Sequence, residues 1–127
     1  MTLEQEKNTA EGHRSRLLLT LGSPREVMEG AIRRHAVSLV FAHNHPSGDP
    51  QPSQQDKETT RDLVYAAAIM CLKALDHLII GENKYFSFAA EGLMGEYEAG
   101  FLELRMKGVS EAKRRIYRAR LFGGPPA

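Results

Sequence analysis

Between Ala42 and Ser53 the chain reads His43-Asn44-His45-Pro46-Ser47-Gly48-Asp49-Pro50-Gln51-Pro52. Three prolines and a glycine within these ten residues exclude regular structure, because each proline removes a backbone donor and fixes φ. Whatever precedes this stretch must end at it, and whatever follows must start afresh. Before it, Val37-Ser38-Leu39-Val40-Phe41-Ala42 is a nearly unbroken apolar run, which reads as a buried strand. After it, a helix is expected from near Ser53 to about Leu72, since Leu63, Val64, Ala67, Ile69 and Met70 recur at helical spacing. The proline-rich stretch is therefore a strand-to-helix connection.

The same reasoning extends outward. Residues 1–14 show no apolar period and read as a flexible tail. Arg16 to Leu21 is a short apolar run that suggests a strand, although runs this short are ambiguous. Ser23-Pro24-Arg25-Glu26 opens a helix with a Ser cap, Pro at the first helical position and Glu closing a capping box. That helix should reach Arg34 or His35, with Val27, Met28, Ala31 and Ile32 as its inner stripe. Farther on, His77-Leu78-Ile79-Ile80, a turn at Gly81-Glu82-Asn83 and Tyr85-Phe86-Ser87-Phe88 make a hairpin. Strand, helix, strand, helix and hairpin indicate an α/β layered domain with a mixed sheet flanked by helices.

From Glu96 the character changes. Arg105, Lys107, Lys113, Arg114, Arg115, Arg118 and Arg120 face a single acid, Glu111, in the span from Arg105 to Arg120. A short helix capped near Ser110 and ending before Gly123 is expected within a basic C-terminal extension, residues 96–127. At 127 residues the chain fits one domain. A net charge of +1 names no partner by itself. No run approaches the roughly 18 apolar residues needed to cross a bilayer, so no membrane role is expected. The polar first residues exclude a secretory signal, and one cysteine, Cys71, cannot form an internal disulfide. Both point to the cytoplasm.

The chemistry lies in the connection itself. Two histidines one residue apart at the end of a strand project to the same side. Two imidazoles and a carboxylate suit zinc, and three protein ligands leave a fourth position for water. The prolines and glycine let the chain fold back, so that Asp56 in the first helical turn reaches the same place. A different reading remains open, because Ser53 with Asp56 is itself a capping box and needs no catalytic role.

The spacing His-x-His, seven residues, Ser, two residues, Asp is similar to the JAMM (MPN+) metallopeptidase pattern. The fuller string HNHPSGDPQPSQQD, with SPREVMEGAIRRHAVSLVFA before it and DHLIIGENKYFSF after it, resembles the bacterial RadC branch over about residues 15–95. The resemblance implies a cytidine-deaminase-like layered fold and a zinc hydrolase in which a zinc-bound water attacks an amide of a peptide or isopeptide. It implies His43, His45 and Asp56 as zinc ligands and Ser53 as a group that stabilises the oxyanion. In JAMM enzymes a glutamate on an upstream strand orients and deprotonates that water. By the resemblance its position would fall before Met1, and Glu4, Glu6 and Glu11 lie too close to the first helix to match it. The expectation is a domain missing its first strands and the helix-hairpin-helix region of longer RadC proteins. Its activity should be reduced, and its exposed sheet edge should favour self-association.

Weaker signals receive plainer readings. Asp76-His77 could be an acid–base pair but matches a structural run in the family. Cys71 reads as a small buried apolar residue, Asn44 and Ser47 as loop-ordering groups, and His13 and His35 as exposed. The alternative function is a non-catalytic zinc-stabilised module that binds nucleic acid or protein through the basic segment. From Arg105 onward that segment has no aromatics beyond Tyr117 and Phe122, so base stacking is not indicated.

Overall fold

The computed structural model describes residues 3–8, 15–20 and 23–123. Five strands form one sheet in the order β1 (Leu3–Asn8), β2 (Ser15–Thr20), β3 (Ser38–Asn44), β4 (Lys73–Ile80) and β5 (Tyr85–Ser87). Between β2 and β3 lies helix α1 (Pro24–Arg33), and between β3 and β4 lies α2 (Gln54–Ile69). Both crossovers join parallel strands, whereas β1–β2 and β4–β5 are antiparallel. Two further helices, α3 (Leu93–Arg105) and α4 (Glu111–Phe122), follow the sheet. The architecture is the α/β, mixed-sheet class expected.

Both crossover helices begin where the sequence says they should. Ser23 caps α1 by accepting from the Glu26 N–H, and Ser53 caps α2 by accepting from the Asp56 N–H. Their inner faces cover β3 and β4, and the main core is built from Val27, Ala31, Leu39, Phe41, Leu63, Val64, Ala67, Ile79 and Phe88. α3 and α4 add a satellite cluster of Ala68, Phe101, Leu102 and Phe122.

Several expectations are corrected. Residues 3–8 of the supposed tail form β1, an edge strand whose backbone pairs with β2. An edge strand can be held by backbone hydrogen bonds without an apolar stripe, which is why hydrophobic periodicity missed it. Ile32, assigned to an inner stripe, and Ile69 and Met70, read as part of a helical apolar period, are exposed, because they stand on the outer side of helix ends whose inner side is buried at Ala31, Ala67 and Ala68. Cys71 is also exposed, in a left-handed turn at φ 60° that carries α2 into β4. β4 starts at Lys73, four residues earlier than expected, because Lys73 and Asp76 hide its pattern. In the C-terminal segment the helix expected from Ser110 to before Gly123 is present as α4, and α3, which was not expected, packs beside it. Lys73 Nζ bonds the Phe122 carbonyl, and Arg114 pairs with Glu103 at 2.8 Å. Phe122 is buried against Phe101.

Candidate metal centre

Parallel strands open at their carboxyl ends, where α/β sheets commonly place their sites. β3 ends at Asn44, so His43 is its second-last residue and His45 stands one step beyond. The His45 N–H continues the ladder to the Ile80 carbonyl at 3.0 Å, which keeps its side chain on the same face as His43.

The connection then turns on itself through several backbone and side-chain bonds. Gly48 N–H donates to the His45 carbonyl at 2.9 Å, and Ser47 Oγ accepts from the Asp49 N–H, an ordering role as expected. Glu82 N–H donates to the Gly48 carbonyl at 2.9 Å, pinning the loop to the β4–β5 turn. Gly81 permits this approach, since a Cβ there would lie 2.3 Å from the Gly48 oxygen.

α2 brings the third group. Asp56 occupies the N3 position, and its Oδ2 accepts from the Ser53 N–H at 2.8 Å while its own N–H donates to Ser53 Oγ at 3.0 Å. The capping box is real, yet it does not exhaust the carboxylate. Asp56 Oδ1 lies 3.5 Å from His43 Nε2, and Oδ2 lies 3.1 Å from His45 Nε2. Among the described residues, His43, His45 and Asp56 form the group whose donor atoms all lie within 4.8 Å of one another. With zinc bonds of about 2.0–2.2 Å, tetrahedral corners are roughly 3.3–3.5 Å apart. The donor set and its spacing thus fit a divalent cation of this kind.

The far sides of both rings are committed. His45 Nδ1 lies 2.8 Å from the Asp49 carbonyl, which can only accept, so the ring donates from Nδ1. A neutral His45 then turns a bare Nε2 toward the carboxylate, an arrangement that a cation between them relieves. His43 Nδ1 lies 2.9 Å from Nε2 of His77. Burial lowers the His43 pKa, against the pull of Asp56, with His45 lowering it further. Burial by itself would raise the Asp56 carboxyl, but the hydrogen bonds from Ser53 and the neighbouring histidines bring it below its ordinary value. Both shifts favour the forms that bind metal.

Sequence reasoning underrated His77. Asp76 does act structurally, accepting from the Ala89 N–H and from Ser87 Oγ. His77, however, is registered opposite Phe41 and so shares a face with His43. It is fully buried, stacked on Phe88 with ring centroids 4.7 Å apart, and burial lowers its pKa to about 3. Strand alternation from Asp76 outward to His77 inward was the available signal. Glu4 and Glu6 lie on β1, with β2 between them and β3, and Glu11 and His13 fall outside the described residues. His35 is exposed, as expected.

Residues 3–93 match the RadC-like JAB domain family. A UPF0758 protein of Symbiobacterium thermophilum is 50% identical over 78 residues, which are 61% of this chain and 33% of that protein. UPF0758 proteins of Trichlorobacter lovleyi and Desulforudis audaxviator are 54% and 56% identical over 71 and 70 residues, or 56% and 55% of this chain and 31% and 30% of theirs. The chain spans about a third of the length of these curated relatives. The family match begins at the first residue of β1, not near residue 15, and it leaves α4 and all but the first residue of α3 outside.

Proposed function

The chain belongs to the RadC-like JAB domain family, and from that membership and the geometry at the end of β3 we propose that it is a zinc-dependent hydrolase domain of the JAMM metallopeptidase type. His43, His45 and Asp56 are its ligands, and an amide bond of a peptide or isopeptide is its target. The observation that carries the reading is the convergence of two imidazole Nε2 atoms and a carboxylate, with both remote Nδ1 atoms held by buried or backbone partners.

Zinc held there would supply a Lewis acid that polarises a carbonyl and lowers the pKa of a water toward about 7. Ser53 has its oxygen turned to the Asp56 N–H, which leaves its own proton to donate to a carbonyl oxygen as that oxygen becomes negative. A general base is the weaker part of the set. Among the described residues Glu4 and Glu6 sit on the edge strand, with β2 between them and β3; if no other carboxylate serves as the base, turnover is reduced by about 10²–10⁴-fold relative to a complete acid–base set. The test is cleavage of a mixed fluorogenic peptide library by zinc-loaded protein in excess. Slow, chelator-sensitive cleavage that drops a further 10²–10³-fold in Ser53→Ala supports the reading. Cleavage indifferent to chelator or to Ser53 contradicts it.

A second reading, a zinc-stabilised module that binds nucleic acid, draws on α4. Lys113, Arg115 and Arg120 are exposed on a helix that Phe122 fixes against the domain. If they neutralise phosphates, removing all three should flatten the slope of log affinity against log salt by roughly 0.9 for each cation removed. An unchanged slope removes this reading.

A further inference from the structure

Behind the three donors a line of hydrogen bonds runs into the core, and its direction can be worked out from one end. The Asp56 carbonyl can only accept, and Thr60 Oγ1 lies 2.7 Å from it. Thr60 has one hydroxyl proton, which this bond uses. Toward His77 Nδ1, 2.5 Å away, Thr60 must therefore accept, so His77 carries a proton on Nδ1. His77 is fully buried between the face of Phe88 and the edge of Phe41, and its two ring bonds go to Thr60 and His43 and not to a carboxylate. An imidazolium without a bonded counter-charge is disfavoured in such surroundings. The ring is neutral, its single proton is on Nδ1, and its Nε2 is an acceptor. The His43 Nδ1 facing that acceptor at 2.9 Å must then be the protonated nitrogen, which leaves His43 Nε2 bare and turned toward Asp56.

We propose that Thr60 and His77 are positioning residues for the metal centre, which fix the proton of His43 on Nδ1 and hold Nε2 as the free ligand atom. The proposal rests on the reading of His43 as a ligand for its functional meaning, though not for the direction of the protons. The two histidines are thus set differently. A backbone carbonyl fixes His45, and a carbonyl has no alternative role. A neutral imidazole fixes His43, and that imidazole is an acceptor only while Thr60 takes its proton on the other side. Loss of the Thr60 hydroxyl leaves a buried N–H at His77 without a partner. The cheaper state moves that proton to Nε2, where it donates to His43 Nδ1 and drives the His43 proton onto Nε2. The ligand atom is then blocked by a change two side chains away.

The experiment uses the full chain as wild type, Thr60→Val and Thr60→Ser. Long-range nitrogen–proton correlation spectra of the metal-free proteins assign the ring protons, and competition with a chromophoric chelator measures zinc affinity. The expected result is Nδ1–H at His43 in wild type and Nε2–H in Thr60→Val. Zinc affinity should be about 10–100-fold weaker in Thr60→Val and recovered in Thr60→Ser. A Thr60→Val protein with wild-type zinc affinity and an unchanged His43 tautomer overturns the proposal. So does Nε2–H at His43 in metal-free wild type, a reading that holds even if the variant does not fold. Wild type that shows Nδ1–H, shifts in Thr60→Val, but binds no zinc upholds the proton chain and defeats only the zinc reading.

Discussion

Replacing Gly81 by alanine places a methyl carbon 2.3 Å from the Gly48 carbonyl oxygen and 2.9 Å from Pro50 Cδ. Real Cβ contacts of this kind begin above 3 Å, so the His45–Pro50 loop must retreat by roughly 1 Å. The contacts are backbone and proline ring, and neither can yield by a rotamer change. Overpacking at such a point costs about 1–3 kcal/mol. The retreat also strains the Glu82 N–H bond to Gly48, which is worth about 0.5–1.5 kcal/mol. Together the loss should be about 2–4 kcal/mol, or roughly 6–16 °C in melting temperature for a domain of this size. The same movement displaces the Asp49 carbonyl that orients His45, so zinc affinity should fall along with stability. Differential scanning calorimetry of the metal-free protein and chelator competition on the loaded protein read the two effects separately. A Gly81→Ala chain with unchanged melting temperature and unchanged zinc affinity would refute the close approach of the two turns.

Three other substitutions or conditions probe separate parts of the account. Asp56→Asn keeps an oxygen that can accept from the Ser53 N–H, so helicity should barely change while zinc affinity falls clearly; equal affinity would return Asp56 to a capping role alone. In metal-free protein the buried His77 stays neutral while its unfolded counterpart binds a proton below about pH 6.5, so stability is full above that pH and falls as pH drops toward about 3. The slope should be at most about 1.4 kcal/mol per pH unit by denaturant unfolding, and a His77→Gln variant with the same slope would contradict its source. Phe122→Ala should free the end of α4 from Phe101 and Lys73, seen as faster amide exchange in α4 and not in α2; equal protection would show that Phe122 does not anchor the helix.

How much of this could be read from the chain follows from where local rules apply. The starts of α1 and α2 were legible because Ser-Pro-x-Glu and Ser-x-x-Asp carry their own hydrogen bonds. The bend that brings Asp56 back to His43 was legible because prolines leave the backbone few choices. β1 was not, since its stability comes from pairing with β2 and not from a pattern of its own. α3 was not, because Met94, Phe101 and Leu102 are its buried residues and a glycine at 95 and at 100 interrupts the helical signal between them. His77 was visible as a residue but not as a neighbour of His43. Their contact spans 34 positions and exists only once β3 and β4 are in register. Thr60 was hidden for the same reason. A threonine one turn after Asp56 looks like any helical threonine until the ring it meets is in place.

The central claim is that His43, His45 and Asp56 hold zinc, and its most direct test is metal content. Protein stripped with chelator, reloaded with zinc and dialysed to equilibrium should retain about one zinc per chain by elemental analysis, with retention lost in the His43→Ala, His45→Ala double variant. Wild type that retains none, or a double variant that retains as much as wild type, would contradict the account.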